Sequence, residues 1–539
     1  MATVEASKSL TNSNQSKFNK IRRAFFAFPQ PKDWGLAFLT AILLILAFPD
    51  FELSFLAWFA FLPLLLAVWR NRYSVTKSFY LGLLGGTAFF YGSCYWLTNA
   101  PIVYGGLPSV LVYLLLVPAC VGAGIFTGIF TAILAKWFSR FGAHAIFAAP
   151  FLWAGCEWLR LLITGNAWNA LGYAQAFDTN SIQLASYGGV FLISFFVILA
   201  NAAICFPLIL RNRYSLKILA VFFFLFIGIY FTSIYNKRVA AFDERPEAVV
   251  IALQPNVPMS GLTSSDYLKL RRKHVEMAEN GLREVDKNES LKDLPRIVVF
   301  PESPMNFAYA YDDEFRDWTR DFTRRAKVSL IFNSAEPDLT DANGYHNSAV
   351  MINSNGEKIA QYDKIRLVPF GEFVPEWIPF NELLPTVVGR AKAGKDFRLM
   401  PLGDVRAGTM ICYESAFGDI SNSFTRNGAD VLIELTNDGY GGDTPILRQH
   451  LANAVFRAVE TNRPVVRVTN IGISAYINER GDVSDATKSF TTDTRIWTIA
   501  KSDGRQTFYV KYGDVFAFVC TIFSLVLLVF SFWKVEKVK

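Results

Sequence analysis

The chain has 539 residues, 52% of them hydrophobic and 15% aromatic, with a mean hydropathy of +0.26. That composition excludes an ordinary water-soluble enzyme. The formal net charge of +7 requires no nucleic-acid partner, because basic residues flanking the apolar stretches account for much of it.

The apolar residues cluster at 34–235 and 514–533. Runs of bilayer-spanning length are predicted at 34–50, 53–69, 79–98, 110–135, 142–162, 183–210 and 216–235, with an eighth at 514–533. The first is not a cleaved leader, since further spans follow at once and no small-residue cleavage site is evident. Basic residues recur in alternate loops. They are Lys17, Lys20, Arg22 and Arg23; Arg70, Arg72 and Lys77; Lys136 and Arg140; Arg211, Arg213 and Lys217; and Lys534, Lys537 and Lys539. The positive-inside rule places this set in the cytoplasm and residues 240–510 on the outer side. The expected layout is a cytoplasmic segment (1–33), a membrane domain of seven transmembrane helices (34–238), an outer soluble domain (239–510), and a last transmembrane helix with a cytoplasmic tail (511–539). Glu157 and Arg160 are costly in or near a span. They are expected to pair at i,i+3, or else to sit at the outer surface near the site entrance.

Within the soluble region, short apolar runs close on polar residues at 248–256, 296–303, 328–336, 405–415, 429–438 and 464–472. Such runs suit strands buried on both faces. Helical patterns fall near 265–286, 312–326 and 445–462, and HNSAVMINSNGEKIAQYD (346–363) reads as a hairpin around Asn-Gly. The alternation predicts a layered α/β domain. Functional side chains in such sheets gather at the carboxyl ends of strands. Glu302 follows RIVVFP, Cys412 follows VRAGTMI, and Lys364 lies just past the hairpin. Asn437 and Asp438 follow VLIELT and read as turn formers.

Cys412 is the one cysteine of the soluble region, so no structural disulfide can form within it. A lone thiol can be an inert core residue, and its context decides. Nucleophilic chemistry needs a base and something positive to hold charge. His274, His346 and His450 sit at no obvious strand end, so a Cys–His arrangement has no support. Glu302, beside Phe300, Pro301 and Pro304, would have its pKa raised by desolvation and could take the thiol proton. Lys364 could stabilise an oxyanion, with the backbone N–H after Cys412 sharing the task. No Gly-rich phosphate loop or metal-ligand cluster is seen, so no cofactor is expected.

The ordered set FPES, YDKIRLVPFGEFVP, ICYES, NDGYGG, QH and TNIGIS resembles the nitrilase superfamily, and EWLRLLITGNAWNALGYAQ (157–175) is similar to the fifth span of its membrane branch, the apolipoprotein N-acyltransferases. The resemblance covers nearly the whole chain. It implies an α-β-β-α sandwich on the outer, periplasmic face of a bacterial inner membrane. It further implies Glu302 as general base, Lys364 as oxyanion-stabilising cation and Cys412 as nucleophile. Glu372 would support the lysine, and Tyr413 and Glu414 would flank the nucleophile. The implied reaction moves an acyl chain from a membrane phospholipid, through a thioester, to the α-amino group of a diacylglyceryl-cysteine on an apolipoprotein. The alternative is a membrane-tethered amidohydrolase acting on a small amide. Two departures touch substrate preference. No Trp follows QPN, and DGYGG places Tyr440 and Gly441 where the family carries bulky aromatics. Trp377, Ile378, Phe380, Leu383 and Leu384 suit a membrane-contacting arm.

Overall fold

A computed structural model describes residues 28–239, 245–305, 307–341, 344–374 and 391–533. The proposed arm residues 377–384, Lys17, Lys20, Arg22, Arg23 and the basic tail lie outside the described residues.

The N-terminal half is helical. Its helices are α1 (Pro31–Ala47), α2 (Leu62–Arg70), α3 (Val75–Ser93), α4 (Asn99–Val103), α5 (Ser109–Phe141), α6 (Ala149–Thr164), α7 (Ala185–Leu210) and α8 (Arg213–Val239). Among the described residues, four apolar helical stretches are long enough to cross a membrane, not the eight expected: Ser109–Thr164, Ala185–Leu210, Arg213–Tyr235 and Val515–Phe532. The difference has physical causes. Helix α1 has 17 residues, about 25 Å of rise, and α2 has only nine. The runs at 110–135 and 142–162 fall on α5 and α6, which part at Gly142 (φ 69°), and α6 by itself has only 16 residues. Helix α3 is diluted by Gly82, Gly85, Gly86 and Gly92, which serve packing rather than hydropathy. A Cβ on Gly82 would overlap Thr131 of α5, and one on Gly86 would come within 2.6 Å of Thr127 Oγ1. Small residues let the two backbones close up, and Thr131 Oγ1 donates across the seam to the Ser78 carbonyl at 2.7 Å.

The two ends of the bundle are distinct. At one end Arg70 pairs with Asp33 at 3.1 Å, and Arg140 donates to the Trp533 carbonyl at 3.1 Å. At the other, Gln449 of the α/β region donates to the carbonyls of Pro49 (3.0 Å) and Ser93 (2.9 Å). Its Oε1 accepts from Trp96 and Trp168 at 3.1 and 3.0 Å. One buried amide thereby ties three inter-helix connections to the domain.

The rest of the chain builds two six-stranded sheets. The strands are β1 (Pro246–Gln254), β2 (Arg296–Val299), β3 (Ser329–Pro337), β4 (Tyr345–Ile352), β5 (Lys358–Asp363), β6 (Leu399–Leu402), β7 (Val405–Ile411), β8 (Val431–Thr436), β9 (Val465–Thr469), β10 (Ala475–Ile477), β11 (Val483–Ser484) and β12 (Asp493–Ala500). The orders are β12-β1-β2-β3-β4-β5 and β11-β10-β9-β8-β7-β6. Helices α9 (Ser264–Asp286) and α10 (Asp313–Ala326) cover the first sheet; α11 (Gly418–Arg426) and α12 (Ile446–Thr461) cover the second. The short α13 (Phe508–Tyr512) and α14 (Val515–Phe532) return the chain to the bundle. Strand alternation explains the layering. Val249, Ile251 and Leu253 join the core under α9 and α10, while Ala248, Val250 and Ala252 face the other sheet. The expected strands and helices are present within a few residues; β6, β10, β11, β12 and α11 are additions. The molecule is an apolar helical region, with helices long enough to cross a membrane, carrying an inserted two-sheet α/β sandwich.

Glu157 and Arg160 do not pair with each other. Glu157 Oε1 accepts from Leu171 N at 2.7 Å, and Arg160 donates to the carbonyls of Trp168 (3.0 Å) and Asn166 (3.3 Å). Each grips the loop after α6, because that loop's backbone groups need partners too.

Candidate active site

Strand ends from both sheets converge on one point. Cys412 opens a 3-10 turn (Cys412–Ala416) directly after β7. Its φ of 52° is left-handed, a conformation costly for a residue with a Cβ, and such positions cluster at functional sites. Glu302 lies three residues beyond β2, and Lys364 immediately follows β5.

The β4–β5 register brings in a residue that the motifs did not reveal. Ser348 pairs with Asp363, so Asn347 stands opposite Lys364, whose N–H donates to the Asn347 carbonyl at 2.8 Å. Opposed residues of an antiparallel pair share a face. Asn347 Nδ2 accordingly donates to Glu302 Oε1 at 3.0 Å and to Glu372 Oε1 at 2.6 Å. Its own Oδ1 accepts from Asn333 at 2.6 Å, which fixes the amide's orientation. Lys364, 1% exposed, lies 3.0 Å from Glu372 and 3.9 Å from Glu302. Glu372 Oε2 accepts from Val368 N at 2.8 Å. A signal for Asn347 was available: counting outward from Asn355-Gly356 as a two-residue turn sets it against Lys364.

The electrostatics follow from this packing. Burial raises the pKa of Glu302; Lys364 opposes the rise and Glu372 adds to it. Burial works against the charge of Lys364, but Glu372 and Glu302 outweigh it and hold the ammonium above the ordinary lysine range. Burial, then Glu302, pushes the Cys412 thiol up against the pull of Lys364. The resting site therefore holds a thiol, a carboxyl group of enhanced basicity and a fixed cation. Such a set can pass a proton from sulfur to carboxylate during attack on a carbonyl and hold the resulting oxyanion.

The neighbours of Cys412 serve different ends. Glu414 is fully buried. Its Oε1 accepts from Tyr362 Oη (2.7 Å), Ile365 N (2.8 Å) and Arg366 N (3.1 Å), and its Oε2 from Ile411 N (2.9 Å). It clamps the chain after Lys364 to the strand before Cys412. Tyr413 lies over Trp168 of the helical region, ring centroids 6.4 Å apart, and burial raises its hydroxyl to about 12. Tyr440 is half exposed, T-stacked on Tyr104 at 6.0 Å. Burial, then the charges of Glu302 and Cys412, raises it to about 12, which marks its nearness to the cluster.

Asp438 is no simple turn former. It is buried, accepting from His450 Nδ1 at 2.6 Å and from Arg467 at 2.7 Å. Glu434 lies beside Arg467 across the β8–β9 pairing at 2.6 Å. Opposite charges inside two apolar strand runs, VLIELT and PVVRVT, were the sequence signal, since buried charges demand partners. Asn437 caps the following turn, its Oδ1 accepting from Gly439 N at 3.3 Å.

Comparison with known proteins agrees with this architecture. Residues 40–203 match the family profile "Apolipoprotein N-acyltransferase N-terminal domain", and residues 240–509 match "Carbon-nitrogen hydrolase". The chain is 31% identical to an apolipoprotein N-acyltransferase of Geobacter metallireducens, over 94% of this chain and 96% of the relative. It is 27% identical to those of Treponema denticola (92% and 95% covered) and Thermotoga maritima (93% and 94%). With its multi-pass helical region, its inserted sandwich and these relatives, the chain belongs to the apolipoprotein N-acyltransferase family of the nitrilase superfamily and is a membrane enzyme of N-acyltransferase type.

Proposed function

We propose that the protein transfers an acyl chain from a membrane phospholipid to the α-amino group of the N-terminal diacylglyceryl-cysteine of apolipoproteins, in two half-reactions through a Cys412 thioester. The observation that carries this reading is a thiol in a left-handed strand-end turn, facing a basic carboxylate and a buried ammonium. Its neighbour Tyr413 packs against the helical region.

In the first half-reaction Cys412 Sγ attacks the ester carbonyl carbon of the phospholipid as Glu302 takes the thiol proton. Lys364 Nζ and the backbone N–H of Tyr413 hold the oxyanion. Collapse breaks the carbon–oxygen bond, Glu302 returns the proton to the leaving alkoxide, and lysophospholipid departs. In the second, the free amine of the diacylglyceryl-cysteine attacks the thioester carbonyl and Glu302 takes its proton. The carbon–sulfur bond breaks, the amide is released, and the proton returns to sulfur. Glu372 and Asn347 hold Lys364 and Glu302 in register. We take the catalytic domain as lying at the periplasmic face of a bacterial inner membrane, where both lipid-anchored substrates reach it. The basic residues Arg70, Arg72, Lys136 and Arg140, near the bundle end opposite Gln449, support that orientation.

Intact mass spectrometry of the protein in phospholipid nanodiscs tests the reading. An added acyl mass on Cys412 is expected, absent in Cys412→Ala, and discharged by a diacylglyceryl-cysteine peptide that gains the same mass. Hydrolysis of small amides without any adduct from phospholipid would identify an amidohydrolase instead.

A further inference from the structure

Behind the thiol lies a buried charge cluster that the acyl-transfer steps leave unused. His450, on α12, is 3% exposed. Its Nδ1 lies 2.6 Å from Asp438 Oδ1. Its Nε2 lies 3.1 Å from the backbone carbonyl oxygen of Cys412 and 3.2 Å from Glu434 Oε1. Every one of these partners is an acceptor. A neutral imidazole has a single N–H and would turn a lone pair toward an oxygen lone pair. An imidazolium, with hydrogen on both ring nitrogens, meets every one of these acceptors.

The charged groups facing it are Glu434 from β8, Asp438 from the turn after β8, and Arg467 from β9. The Arg467 guanidinium spans both carboxylates at 2.6 and 2.7 Å. The other faces present Cys412 and the uncharged Trp168 ring, 5.6 Å away. Two cations balance two anions. Loss of the His450 proton would leave a net negative charge buried beside the thiol, an arrangement that low-dielectric surroundings penalise. In the folded protein burial and Arg467 oppose protonation, but Asp438 and Glu434 outweigh them and raise the imidazole to about 9.

The carbonyl held by His450 is not an isolated group. It belongs to the peptide unit whose N–H is that of Tyr413, and in a planar trans peptide the two point in opposite directions. Fixing the carbonyl fixes the Tyr413 N–H, which sits in the first turn of the 3-10 segment, where such groups lack an intrahelical partner. It also holds the left-handed conformation of Cys412, which persists only when its surroundings over-determine it.

We propose that His450, as an imidazolium held between Glu434 and Asp438, is a positioning residue that aims the Tyr413 N–H at the oxyanion by anchoring the Cys412 carbonyl, so that acylation fails when it loses its proton. The proposal rests on the acyl-transfer reading of Cys412. The chain has four histidines, so ¹³C-histidine NMR of the full-length protein in nanodiscs can follow each ring, with His450→Gln assigning the signal. A His450 resonance that titrates near pH 9 is expected. Thioester formation in H450Q should slow roughly ten- to a hundredfold, less than outright loss of an oxyanion donor, with half-saturation by phospholipid unchanged. The alkaline fall of the wild-type rate should move to lower pH in Asp438→Asn, which removes an anion from the ring, and vanish in H450Q. A His450 signal titrating at or below the ordinary value of about 6.5 overturns the proposal. So does H450Q acylation at the wild-type rate, or an alkaline limb that stays put in D438N. Should H450Q fail to fold, His144→Gln, His274→Gln and His346→Gln assign the remaining signal by elimination, and the titration and the D438N limb decide. If the wild type forms no thioester, the acyl-transfer reading fails, and the titration alone judges the imidazolium.

Discussion

Replacing Asn347 by Leu removes one hydrogen-bond donor from the middle of the catalytic cluster at nearly constant volume. Asn347 Nδ2 donates to Glu302 at 3.0 Å, and it also serves Glu372 at 2.6 Å. Glu372 keeps Lys364 Nζ and Val368 N; Glu302 keeps the Cys412 thiol and the more distant Lys364, at 3.9 Å. The loss therefore falls mainly on Glu302. A hydrogen bond to a charged group contributes about 1.5–3 kcal/mol, and one pKa unit corresponds to about 1.4 kcal/mol. Because the donor favours the ionised carboxylate, its removal raises a pKa that burial has already raised. The acidic limb of Cys412 acylation, which requires ionised Glu302, should move to higher pH by about one unit, at the lower end of that range because the donor is shared. Asn333, left without the Asn347 oxygen, still donates to the Ser348 carbonyl at 3.2 Å, so the variant should fold. Rapid-quench acylation followed by intact mass spectrometry from pH 4.5 to 9 would measure the limb. A folded N347L whose limb is unmoved, or shifted toward acid, would refute the assignment of Glu302 as the base.

Glu414→Gln puts an amide donor where both oxygens accept backbone or hydroxyl hydrogens; thermal unfolding should register a loss of about 2–4 kcal/mol, and an unchanged midpoint would sink its role as a clamp. Gly82→Leu should force α3 off α5 at Thr131 and yield misassembled protein on size exclusion. Gly35→Ala, with open space around the added Cβ, is the control and should behave as wild type. Stability should also depend on pH through two buried groups. Burial opposes ionisation of Glu434, but Arg467 and His450 hold it down to about 2, so its contribution is present above the ordinary glutamate pKa and lost as pH falls through 2. The His450 contribution is full below the ordinary histidine pKa and is lost as pH rises through 9. A midpoint that climbs between neutral pH and 9 would contradict the charge balance drawn for the cluster.

Much of this protein is written locally in its chain. Apolar runs and their basic flanks announce a membrane region, because bilayer hydrocarbon tests each short segment by its own length and polarity. Two-sided burial makes β1, β2, β8 and β9 read as continuous apolar runs, and the strand-end positions of Glu302, Lys364 and Cys412 follow from where those runs stop. Other properties could not be read that way. The span count shifted because α1 and α2 are too short and α3 uses glycines for contact with α5, and whether a glycine dilutes a span or fits a neighbour depends on what lies across from it. Asn347 acts only through the register that sets it against Lys364. Glu157 and Arg160, one turn apart, bind a loop rather than each other. His450 meets Cys412, Glu434, Asp438 and Arg467 only when α12 packs behind β7, β8 and β9. The sequence by itself determined the segments and the chemistry-bearing residue types, since hydropathy and periodicity are properties of neighbours in the chain. The tertiary structure alone decided which of those residues share a hydrogen bond or a charge, because such interactions act over a few ångströms of space, whatever their separation along the chain.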